Sequence, residues 1–203
     1  MKSIFVKTCA VILLSCVVGP TFAQMVIQAE SVSLQPQIGR DEAGFKTCGI
    51  RAVVIAKSGQ DYDLYDFSLN IRAEELYGAL KAGKSRTTVR AVQQGKASSE
   101  VVLPAPVRFW ISKEDEGKAI TPLKTFPADT KGFILEVADL SETYKGIMAM
   151  IYGERMQFAV RYKNQPLDIV VSFSEKLPEI ERAPLMKCLD AVVERTLKMT
   201  DKN

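Results

Sequence analysis

Residues 156–175 read MQFAVRYKNQPLDIVVSFSE. Met156, Phe158, Val160 and Tyr162 alternate with Gln157, Ala159, Arg161 and Lys163, the period-2 pattern of a strand with one buried face. Asn164, Gln165 and Pro166 interrupt it, since asparagine tolerates turn geometry and proline fixes φ while removing a donor. Leu167, Ile169, Val171 and Phe173 then resume the alternation against Asp168, Val170, Ser172 and Ser174. The stretch predicts a β-hairpin. Its apolar face needs a cover. The nearest candidate is the segment after Pro184, where Leu185, Cys188, Leu189, Val192 and Thr196 recur at helical spacing.

Working outward, Tyr65, Phe67, Leu69 and Ile71 define a strand over 61–71, and CGIRAVVIA at 48–56 a buried one. Further strands are expected at 25–34, 87–92, 107–112, 120–126 and 133–137, with a polar loop at 94–100. Asp139-Leu140-Ser141-Glu142 has the form of a capping box. It opens a helix whose stripe is Leu140, Tyr144, Ile147 and Ile151 and which Gly153 closes. Ala73, Leu76, Tyr77 and Leu80 predict another helix over 72–82, ended by Gly83. The fold expected is α+β: one β-rich domain of mostly antiparallel strands, sandwich-like or as a curved sheet, with two or three helices including a C-terminal one.

The start of the chain is an address. In MKSIFVKTCAVILLSCVVGPTFA, Lys2 and Lys7 precede an apolar run at 9–18, and Thr21-Phe22-Ala23 forms a small-x-small cleavage site. The run is shorter than the roughly 20 residues that span a bilayer. Residues 1–23 are therefore expected to be a signal peptide, leaving 24–203 as a single exported domain, periplasmic or secreted, with no transmembrane segment. Leu13-Leu14-Ser15-Cys16 also resembles a bacterial lipobox, which would put a lipid anchor on Cys16. The apolar Val17-Val18-Gly19 that follows lacks the polar tether of that motif, and simple cleavage is the expectation.

Composition excludes several classes. Of 203 residues, 47% are hydrophobic and 25% charged, ordinary for a globular chain with a core. The formal charge of +3 drops by two when Lys2 and Lys7 leave, so no basic patch calls for nucleic acid or an anionic membrane. The chain has no histidine, which removes Ser-His and Cys-His nucleophiles and an imidazole base. Cys9 and Cys16 depart with the leader. Cys48 and Cys188 remain, 140 residues apart, and predict a disulfide worth about 5 kcal/mol in the chain-entropy view.

Three motifs carry chemistry on paper. Gly78 to Ser85, GALKAGKS, fits the phosphate-binding pattern G-x-x-x-x-G-K-[ST]. That chemistry needs a helix N-terminus after the loop, whereas here a helix is expected to end at Gly83, so nucleotide binding is not expected. Asp61, Asp63 and Asp66 lack the glycine and closing glutamate of a calcium loop and read as a solvated turn leading into a strand. Trp110, the single tryptophan, shares a strand face with Arg108, while Val107, Phe109 and Ile111 share the other. Tryptophan and arginine are enriched where proteins bind one another, so Arg108 and Trp110 are the candidate partner-binding residues.

The order of features, a leader, FKTCGIRAVV at 45–54, a β-rich middle, a helix, the hairpin of 156–175 and a final helix, resembles bacterial exported proteins of the invasion-associated locus B type. The resemblance implies a non-enzymatic β-rich envelope protein linked to host interaction, and it transfers no site residues. The function expected is a non-enzymatic periplasmic or secreted binding or assembly module with a protein partner in the envelope or outside the cell, no cofactor and no metal. The alternatives are a carrier for a small apolar or amphipathic ligand and a histidine-free hydrolase.

Overall fold

The computed structural model describes residues 24–88, 101–114, 116 and 118–200. The expected leader with its lipobox, the loop at 94–100 and residues 89–92 of the strand expected at 87–92 lie outside the described residues. In chain order the elements are β1 (Gln24–Ile27), β2 (Ser31–Asp41), β3 (Gly44–Ser58), β4 (Asp61–Arg72), β5 (Tyr77–Thr88), β6 (Val101–Val102) and β7 (Arg108–Lys113). Then come β8 (Pro122–Pro127), β9 (Phe133–Asp139), α1 (Leu140–Tyr152), β10 (Met156–Arg161), β11 (Asp168–Phe173) and α2 (Glu179–Thr200). They form an α+β fold of two mostly antiparallel sheets, as expected.

The larger sheet runs β2-β3-β4-β5-β9-β8, with β6 also on β5; the smaller runs β1-β11-β10-β7. Alternation decides which face of the large sheet is inner. Cys48, Ile50, Ala52 and Val54 of β3 lie opposite Ile71, Leu69, Phe67 and Tyr65 of β4, all buried on one side. The hairpin of β10 and β11 pairs from Met156↔Phe173 to Val160↔Ile169 and lays its apolar face on that surface. Phe158 stacks on Phe67 with centroids 4.1 Å apart, and Phe173 tilts against the same ring at 5.6 Å. The cover of the hairpin is thus β4, not the C-terminal helix. That helix lies on β2 and β3, because Cys188 is bonded to Cys48 with 5.8 Å between their Cα atoms.

Both helices keep the faces the sequence assigns them. Asp139 caps α1 by accepting from the Glu142 amide at 3.0 Å, while the Glu142 carboxylate accepts from Lys118 Nζ and the Thr121 amide, so the reciprocal half of the capping box is not made. In α2, Leu185, Cys188, Leu189, Val192 and Thr196 are all buried. The helix begins at Glu179, and Pro184 lies inside it instead of opening it.

Two further expectations fail. Residues 72–82 are not a helix: the chain turns after Arg72, and Tyr77 starts β5, with Leu76 and Tyr77 exposed. β5 is hydrogen-bonded on both sides, to β4 and β9, and this pairing outweighs a short helical stripe. The phosphate-binding pattern therefore lies wholly on a central strand. Its glycines have packing reasons: a Cβ on Gly78 would sit 2.2 Å from Thr143 Oγ1 of α1, and one on Gly83 would sit 2.6 Å from the Phe133 ring. Nor are the three aspartates a solvated turn. Asp63 is buried on β4 and accepts from Lys84 Nζ at 3.2 Å and Arg86 Nε at 2.9 Å, and Asp66 accepts from Arg51 Nε at 2.9 Å.

Candidate functional site

Strand parity builds the site. Phe109 and Ile111 of β7 are fully buried in the core, which turns Arg108, Trp110 and Ser112 to the outer face of the smaller sheet. β10 adds Gln157, Ala159 and Arg161 to that face, and β11 adds Asp168, Val170 and Ser172. The registers align them in rows. Trp110 lies opposite Ala159, Ala159 opposite Val170, and Val170 opposite Val26 of β1, one apolar row across four strands. Ser112, Gln157 and Ser172 form a neutral polar row on one side of it. On the other side, Arg108 pairs with Arg161 and Gln24 with Asp168, a charged row.

Ala159 and Val170 are buried but stand outside the contiguous core, Trp110 is half-buried, Arg108 is exposed and Val26 is 70% exposed. Gln24, Arg108, Trp110, Ser112, Gln157 and Asp168 line a groove of about 470 Å³. Within it Arg161 Nε donates to Asp168 Oδ1 at 2.6 Å, and Trp110 Nε1 approaches Oδ2 at 3.5 Å. The carboxylate is neutralised by Arg161 and tethers the polar edge of the indole. Arg108 has no ion pair among the described residues. The face presents a flat aromatic surface, hydroxyl and amide groups and one uncommitted guanidinium, which is the chemistry of recognition.

Beside the β7 edge of this face lies Glu136 of β9, on the inner side of the large sheet and 1% exposed. Its Oε1 accepts from the Phe109 amide at 3.4 Å and from Thr125 Oγ1 at 3.5 Å, while Oε2 has no partner among the described residues. Burial pushes its pKa up to about 7, against the pull of the Phe109 amide, the Arg108 charge and the Thr125 hydroxyl. A second buried cluster closes the far end of the same inner face. Lys84 Nζ sits between the Tyr162 ring at 5.0 Å and the Tyr65 ring at 5.6 Å, paired with Asp63. Burial raises both phenols, and the charges there satisfy one another. No group of three or more Cys, Asp or Glu side chains among the described residues is placed to hold a metal ion.

Set against family models, characterised proteins and solved structures, the chain matches none.

Arg108 and Trp110 thus stand together on one face, while Cys48 and Cys188 form the disulfide elsewhere in the molecule. The alternation of 156–175 already placed Arg161 and Asp168 off the apolar phase, which was the signal for their part in the site. The single strand expected at 25–34 is split between β1 in the smaller sheet and β2 in the larger, and the place of β1 was hidden because its pairing with β11 is parallel and joins residues far apart in the chain. Glu136 was hidden too. In FILEVAD the apolar phase reads as Phe133, Leu135 and Val137, yet Ile134, Glu136 and Ala138 face inward.

Proposed function

We propose that this chain is an exported, non-enzymatic binding module that engages a protein partner, in the envelope or outside the cell, through the outer face of its four-stranded sheet. The observation that carries the reading is Trp110, half-buried in an apolar row beside the exposed Arg108 at a groove. Such an aromatic–guanidinium pair, rimmed by polar side chains, is the composition of an interface hot spot. The polar rows on both sides suit a protein surface better than a small apolar ligand. Export is supported by the leader pattern and by the buried Cys48–Cys188 disulfide, a bond that persists in oxidising compartments. No helix among the described residues is long and apolar enough to cross a membrane. The resemblance to proteins of the invasion-associated locus B type points the same way, toward the envelope and host interaction.

Immobilised protein covering 24–203 tests the reading by capture from an envelope fraction, in parallel with Trp110→Ala and Arg108→Gln. A partner retained by the wild type and lost from both variants, with circular dichroism unchanged, is the expected result. A partner held equally by all three, or none held by the wild type, ends the proposal.

A further inference from the structure

Glu136 and the outer face share one peptide group. Phe109, whose amide donates to Glu136, sits between Arg108 and Trp110 on β7, the edge strand of the smaller sheet, so the carboxyl meets the free backbone edge between them. The surroundings of Glu136 contain few charges. β5 sets Leu80 opposite it and β8 sets Thr125 there, while Lys81 and Lys124 register with Leu135 and Val137 on the other face. On its own strand Asp139 is engaged as the α1 cap. β7 contributes Arg108, whose charge favours the ionised form of the carboxyl. The chain holds no histidine, and Cys48 and Cys188 are locked together, so neither imidazole nor either of these thiols titrates near neutrality. Glu136, pushed up to about 7 by burial, does.

We propose that the outer face binds an acidic segment of the protein partner, with a partner carboxylate on Arg108 beside Trp110, and that Glu136 is a positioning residue tightening this binding as it takes up a proton. The proposal rests on the binding role given to this face above. Arg108 selects the partner chemistry. It is exposed and without an ion pair among the described residues, whereas Asp168 is already neutralised by Arg161, so the free charge on this face is positive. An ionised Glu136 draws on that charge from the edge of the strand, and a neutral one leaves it to the partner. Linkage makes the effect reciprocal: an anion on Arg108 raises the proton affinity of Glu136, and the proton raises affinity for the anion by the same factor.

Trp110 fluorescence reports the binding of a hexaglutamate peptide, whose carboxylates stay ionised above about pH 5.5. Wild-type protein is expected to bind it about fivefold or more tightly at about pH 6 than at about pH 8. Glu136→Gln, which mimics the neutral form, should bind at both pH values with the acid-side affinity, and Arg108→Gln should lose binding at both. A Glu136→Gln variant that keeps the wild-type pH dependence overturns the coupling. Wild-type protein that ignores the peptide at every pH, or binding that survives Arg108→Gln, overturns the acidic partner. Neither of these outcomes decides the broader reading, which rests on capture by the wild type against Trp110→Ala.

Discussion

Glu136 makes the sharpest prediction about stability. Its carboxyl is raised from an ordinary value of 4.5 to about 7, so the folded protein holds this proton more tightly than the unfolded chain does. Its stabilising contribution is complete below the ordinary carboxylate range and is lost as pH rises toward about 7. Urea unfolding should therefore show stability falling by about 3 kcal/mol across that window, and Glu136→Gln should flatten the slope. A slope unchanged in the variant would mean that another group titrates there. Lys84 yields a second prediction. It matches the lysine of a phosphate-binding pattern, but its ammonium is spent on Asp63 inside the fold. Lys84→Ala should cost about 2 kcal/mol in unfolding free energy, because Arg86 remains to share the stranded carboxylate. Calorimetry with ATP and magnesium should show no heat in either protein. The parity of Arg108 and Trp110 was legible in the sequence. The ion pair that neutralises Asp168 was legible only in part, since it needs two strands in register.

Elements with their own punctuation were read correctly, and those defined by neighbours were not. The hairpin carries alternation and a turn within one stretch, and α1 carries a cap at Asp139 and a stop at Gly153. β5 carries neither. Its GALKAGKS segment has small residues where other elements press close, and those spacings imitate both a helix and a phosphate loop. Gly78 tests this account of β5. A methyl group there meets Thr143 at 2.2 Å, so Gly78→Ala should push α1 off the sheet and cost about 2 kcal/mol or more. Thermal unfolding of the variant measures it. An unchanged midpoint would show that α1 does not rest on β5 as described.

For the whole molecule, the α+β class followed from how the strand and helix patterns were distributed along the chain, but the layering did not. Which element covers the hairpin is a question about residues far apart in sequence, and alternation is silent on it; Phe67 of β4 gave the answer. The disulfide was legible because the leader accounts for the other two cysteines. Both sulfurs are buried, so native protein should resist thiol reagents, and reduction should lower stability by about 3–5 kcal/mol in unfolding experiments. A matched pair of truncations tests whether the outer face of the smaller sheet is the binding surface. Trp110 lies on that face, while Phe126, also partly exposed at 37%, lies on β8 at the edge of the other sheet. Affinity for the captured partner should fall by about 2 kcal/mol or more in Trp110→Ala and stay at the wild-type value in Phe126→Ala. Full affinity in Trp110→Ala, or an equal loss in both variants, would contradict the account.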